Sequence, residues 1–183
     1  MARHGFMIEK RINAKDVEAL NRSAKSVADI DGGMLVKLGE YADGVWNVTK
    51  ATEGEGLYMA YNPSEHFTNV NGRLFAGLTK DPRDYTNLTG RTFDIFKLTK
   101  GDIVGITAEL IKSADVKTVE KGKFLEQGAD GYEKKDVATA STTSLKVIDI
   151  ETLPFPNNGN GGIGMEFAKL YICEVEQNYL IRR

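Results

Sequence analysis

Five two-residue turn signals punctuate this chain: Asp31-Gly32, Asp43-Gly44, Asn71-Gly72, Asp130-Gly131 and Asn158-Gly159. Tight hairpins need a positive φ at their central residues, which Asn, Asp and Gly accept at low cost. Between the signals lie short β-rich runs: Met34 to Leu38, Val45 to Lys50, Leu57 to Tyr61, Leu74 to Leu78, Thr92 to Leu98, Ile103 to Ile111, Gly122 to Leu125, Ser144 to Ile150 and Met165 to Val175. Short strands at this spacing predict a mainly β fold, an antiparallel barrel or sandwich. The last run is the clearest. Met165, Phe167, Tyr171, Cys173 and Val175 alternate with Glu166, Glu174 and Glu176, which puts Cys173 in the core as a small hydrophobe. A chain of 183 residues hides about 70% of its unfolded surface, enough for one domain without staples. The single Cys excludes a disulfide framework within the chain and any multi-thiolate zinc site.

The opening segment reads differently. Residues 1–25 hold six of the 24 basic and three of the 26 acidic side chains, so they carry +3 against −5 for the rest. Asn13 as a cap, Asp16 in a first turn, and Val17, Leu20 and Ala24 at helical spacing predict a short amphipathic helix over 14–25. The division expected is an N-terminal arm, 1–31, and a β-rich body, 32–183. Met1 to Arg11 never reaches the apolar length of a secretory h-region, so synthesis and folding in a reducing cytoplasm are expected.

Chemistry is sparse. Gly159 to Gly164 spells G-x-G-x-x-G, but Leu153-Pro154-Phe155-Pro156 ahead of it and a strand pattern behind it are the wrong context for a dinucleotide site. The segment 153–164 reads as a long surface loop instead, as does 62–71. Asp29-Ile30-Asp31-Gly32 echoes a calcium loop without its remaining ligands and reads as a turn. His4 and His66 stand apart, and the sequons at Asn21, Asn47 and Asn87 read as polar turns and strand ends. Neither a cofactor nor a resident metal is expected. A net charge of −2 argues against a phosphate-neutralising protein, and no apolar run is long enough to span a bilayer, so neither nucleic acid nor membrane is an expected partner.

Two stretches carry a resemblance. The first is Phe93-Asp94-Ile95-Phe96-Lys97-Leu98-Thr99-Lys100-Gly101-Asp102-Ile103-Val104-Gly105-Ile106-Thr107, closed by Ile111. The second is Gly122-Lys123-Phe124-Leu125, then Ala129-Asp130-Gly131-Tyr132, Ser144 to Asp149, and Leu170 to Val175. In this order, over about residues 90–176, the chain resembles head decoration, or capsid cement, proteins of tailed bacteriophages. The resemblance implies a non-enzymatic virion protein on the capsid exterior, bound to the major capsid protein and bridging its subunits. Self-association into a dimer or trimer would multiply its contacts. Arg3, Lys10, Arg11, Lys15 and Arg22 are the capsid-contact candidates, as charges suited to an acidic shell surface. Two alternatives stay open. One is a small-ligand or carbohydrate-binding barrel using Trp46, Tyr58 and Tyr61, which requires those rings to be exposed. The other is an enzyme that holds a divalent ion with Asp81, Asp84 or Asp94.

Overall fold

The computed structural model describes residues 3–52, 57–63, 67–70, 73–76, 82–140, 142–157 and 164–177. It is mainly β. The thirteen strands are β1 Met7–Arg11, β2 Asn21–Ser26, β3 Leu35–Ala42, β4 Val45–Lys50, β5 Tyr58–Ala60, β6 Phe67–Val70, β7 Arg73–Ala76, β8 Thr92–Lys97, β9 Ile103–Thr107, β10 Phe124–Gly128, β11 Gly131–Lys135, β12 Thr143–Asn157 and β13 Gly164–Gln177. Five close a barrel in the order β2-β4-β3-β5-β8, and six form a sheet in the order β1-β9-β13-β12-β10-β11; β6 and β7 pair with each other. Every pairing is antiparallel except β2 with β4, which run parallel.

Two cores follow from strand alternation. Ala24, Ile30, Val36, Val48, Tyr58, Ala60, Phe93 and Ile95 fill the barrel. Their strand neighbours Leu35, Leu57, Met59 and Phe96 point the other way and meet Met7, Val104, Ile106, Leu125, Leu145, Val147, Tyr171, Cys173 and Val175 of the sheet. One barrel wall is therefore buried on both sides, which is why Tyr58, Met59 and Ala60 are all buried where a one-sided strand would alternate. Polar bonds pin the two layers. The Tyr132 hydroxyl donates to the Gly33 carbonyl at 2.7 Å, and the Leu35 N–H donates to Gln127 Oε1 at 2.7 Å. Burial pushes the Cys173 thiol far above its ordinary value, as the core position implies.

Asp43-Gly44 turns β3 into β4 with φ of 52° and 83°, and Gly131, at φ 118°, opens β11 after Asp130. A Cβ on Gly131 would sit 2.7 Å from the Leu110 carbonyl oxygen, so only glycine fits there. Asp31-Gly32 lies in the connection from β2 to β3 and closes no hairpin; residues 71–72 and 158–159 lie outside the described residues.

The helix expected over 14–25 does not form. Two single 3₁₀ turns, Asn13–Lys15 and Glu18–Leu20, lead into β2, and Asn21 to Ser26 run extended between β4 and β8. A helix would have buried one thin stripe, whereas the strand inserts Ala24 fully into the barrel and closes its wall. β1 likewise pairs with β9, with Met7 in the core. The long loop expected over 153–164 is also corrected, because β12 runs to Asn157 and β13 starts at Gly164, paired Pro154↔Phe167 and Pro156↔Met165. Proline is admitted because, among the described residues, no strand pairs with the outer edge of β12 there. The glycine run 159–163 lies outside the described residues.

Glu126 shows how the sheet end is held. Burial alone would raise its pKa, yet hydrogen bonds from the Ser144 hydroxyl at 2.7 Å and from the Thr139 N–H and hydroxyl at 2.6 and 2.7 Å outweigh it and lower it below 4.5. A depressed folded-state value means stability that is full above pH 4.5 and lost as pH falls through the folded value. E126Q is expected to cost about 2 kcal/mol at pH 7. In urea melts from pH 7 to pH 3 the gap from wild type should shrink below pH 4.5; a constant gap would contradict this account.

Candidate binding surfaces

The barrel mouth gathers the most distinctive side chains. Ala24 of β2 lies beside Trp46 of β4 in the parallel pair, and Trp46 faces Tyr41 of β3. Two residues from Ala24, Arg22 emerges on the same face at the open end, where the apolar filling stops. Its guanidinium carbon lies 5.2 Å from the Trp46 ring centroid and 5.8 Å from that of Tyr58, and its Nε donates to the Tyr58 hydroxyl at 3.0 Å. A bulge between Leu38 and Tyr41 re-aims Tyr41, whose ring meets Trp46 at 5.3 Å and 56°. The result is an open cleft of about 520 Å³ lined by Asn21, Arg22, Ser23, Tyr41, Gly44 and Trp46.

The platform expected from Trp46, Tyr58 and Tyr61 does not form. Tyr58 is 7% exposed inside the barrel. Tyr61 packs on Phe96 at 4.6 Å, its hydroxyl donates to Asn21 Oδ1 at 3.3 Å, and burial pushes its pKa up to about 12. Trp46 alone of the three reaches the cleft, and its exposed companion is Tyr41, which no sequence signal singled out.

A second surface is the far end of the β12–β13 hairpin. Beyond the strands that flank it, residues 149–157 and 164–169 pair, among the described residues, only with each other, a ribbon reaching roughly 20 Å past the sheet. One face is covered. Phe155 lies edge-on to Phe6 and 4.3 Å beneath the Arg83 guanidinium. Arg83, 1% exposed, binds Glu109 Oε1 and Glu166 Oε2, both at 3.1 Å. The opposite face continues the core alternation of Tyr171, Cys173 and Val175 into Phe167 and Met165, which are 67% and 59% exposed.

Four capsid-contact candidates lie on the sheet side of the molecule. Arg3 binds Asp84 at 2.6 Å and Glu166 at 2.9 Å. Lys10 binds Glu151 at 3.1 Å, Arg11 donates to the Gly101 carbonyl at 3.3 Å, and Lys15 binds Glu9 at 2.8 Å. Arg22 is apart from them, in the barrel mouth. The acids considered for an ion do not meet: Asp84 serves Arg3, Asp94 accepts from Ser23 at 3.2 Å, and Asp81 lies outside the described residues, as does His66. Asp29 accepts from Thr89, and Asp31 from the Gly5 N–H, with His4 Nδ1 3.0 Å away, so the calcium-like stretch is committed to protein groups. Among the described residues, no three His, Cys, Asp or Glu side chains gather as a metal site. No family model, no curated protein and no solved structure matches the chain.

Proposed function

We propose that this chain is a non-enzymatic structural protein of a virion that binds the outer surface of a phage capsid and stabilises the shell by bridging capsid subunits. The observation that supports the reading beyond the resemblance is the hairpin ribbon, with Met165 and Phe167 exposed on one face and, among the described residues, no further strand paired along either edge. Exposed apolar side chains beside open strand edges are the features that strand addition and interface burial use. The major capsid protein is the partner this reading names. Lys10, Arg11 and Lys15 lie exposed on the sheet side, and surface ion pairs of about 0–1 kcal/mol exchange readily for an acidic shell. Binding only the assembled lattice lowers that lattice's free energy by linkage, and a dimer or trimer would engage several points at once.

The test is sedimentation of the purified chain with undecorated heads assembled from the major capsid protein of the same source. At micromolar protein the chain should pellet with the heads, and K10E/R11E/K15E should pellet less, with a weaker dependence on salt. Absence of co-sedimentation would overturn the proposal.

A further inference from the structure

We infer that the barrel mouth is a saccharide site, selective for a pyranose unit that carries a carboxylate. This goes beyond attachment to a shell and stands without it. The rings of Tyr41 and Trp46, 5.3 Å apart and inclined by 56°, make a shallow aromatic trough whose open ring is Tyr41, 57% exposed, and whose floor is Trp46, packed on the barrel core with Arg22 over its ring. Such a trough takes the apolar C–H face of a sugar ring, since flat rigid rings offer contact area at little entropic cost. About 520 Å³ is space for a short oligosaccharide, and Gly44, with nothing within 4 Å of where its Cβ would be, keeps the rim low.

Arg22 supplies the selectivity. The rings of Trp46 and Tyr58 and the Tyr58 hydroxyl fix its guanidinium, and only Nε is engaged in a hydrogen bond; among the described residues neither terminal nitrogen has one. A pre-oriented fork of unspent N–H donors matches two coplanar acceptor oxygens, the geometry of a carboxylate. Its neighbours are already engaged. The Asn21 amide already donates to the Ala14 carbonyl and its oxygen accepts from Tyr61, while Ser23 donates to Asp94, leaving the serine lone pairs to accept one sugar hydroxyl. The unspent Arg22 fork is the cationic group at this end of the trough, and a neutral sugar would leave it unmatched.

Trp46 is the single tryptophan of the chain, so fluorescence excited at the red edge, where tyrosine does not absorb, reads this site alone. The full-length protein is titrated with tetramers of galacturonate, glucuronate and mannuronate, and with the methyl ester of whichever binds tightest. A saturable change of Trp46 emission is expected for at least one uronate, with the ester weaker by about tenfold or more. R22K, which keeps the charge but not the fork, and Y41A, which removes an exposed ring, should each weaken binding to a similar degree while leaving the thermal melt in place. The inference is overturned if no uronate saturates at millimolar concentration, if the ester binds as well as the acid, or if both variants bind like wild type. Retention of head binding by Y41A would separate this site from shell attachment.

Discussion

A chain lacking residues 1–26 is expected not to fold. The segment reads in sequence as a basic arm, yet Met7, Ile12, Ala14 and Ala24 are each 3% exposed or less, and β2 is the stave between β4 and β8 that closes the barrel. Met7 and Ile12 alone bring roughly 1.5–3 kcal/mol each. Removing β2 also strips the ladder partner from one edge of β4 and one edge of β8 and opens the barrel core of Val36, Val48, Phe93 and Ile95 to water. Against a total stability of about 5–15 kcal/mol, these losses consume the margin. The deleted chain should show no cooperative thermal transition by circular dichroism and no dispersed amide spectrum. A cooperative melt near the wild-type temperature would mean that the segment is a detachable arm.

R83A is expected to be the most damaging single substitution at the hairpin, costing about 3–5 kcal/mol. Arg83 is 1% exposed, holds Glu109 and Glu166, and covers the Phe155 ring. Its removal leaves the Glu109 carboxylate, whose Oε2 is buried with no hydrogen-bond partner among the described residues, without the Arg83 counter-charge. E166Q provides the contrast, because Glu166 is 42% exposed at its side chain and water can replace its partners. That change should cost under about 1 kcal/mol. Chemical denaturation of the two variants checks the ranking, and equal costs would refute the assignment of Arg83 as the buried clamp that holds the hairpin.

The parts of the fold legible in sequence are those whose signal is local. Asp43-Gly44 makes its hairpin, and the alternation of Tyr171, Cys173 and Val175 places one face in the core. β1 and β2 were hidden for physical reasons. Met7-Ile8-Glu9-Lys10-Arg11 is an edge strand with charges along it, and the inward residues of Asn21 to Ser26 are small or polar, so Val17, Leu20 and Ala24 imitate a helical stripe. The hairpin beyond Leu153 was hidden because its prolines sit on an open edge, where they cost no ladder bond.

The barrel mouth was half legible. Arg22 and Trp46 each drew attention, one for its charge and one for its ring, but their meeting depends on the parallel register Ala24↔Trp46, which no local pattern encodes. Tyr41 joins them only through the bulge at Gly39 and Glu40. Arg83 is a surface residue in sequence and becomes a core residue only when the hairpin folds over it.

The proposed bridging of capsid subunits is measured most directly by the temperature at which undecorated heads break open, followed by dye uptake, with and without the added chain. Wild type should raise that temperature. M165D/F167D, which alters only exposed side chains and so should melt within about 0.5 kcal/mol of wild type, should leave the heads as fragile as before. An unchanged opening temperature with saturating wild type, or equal protection by the variant, would contradict the account.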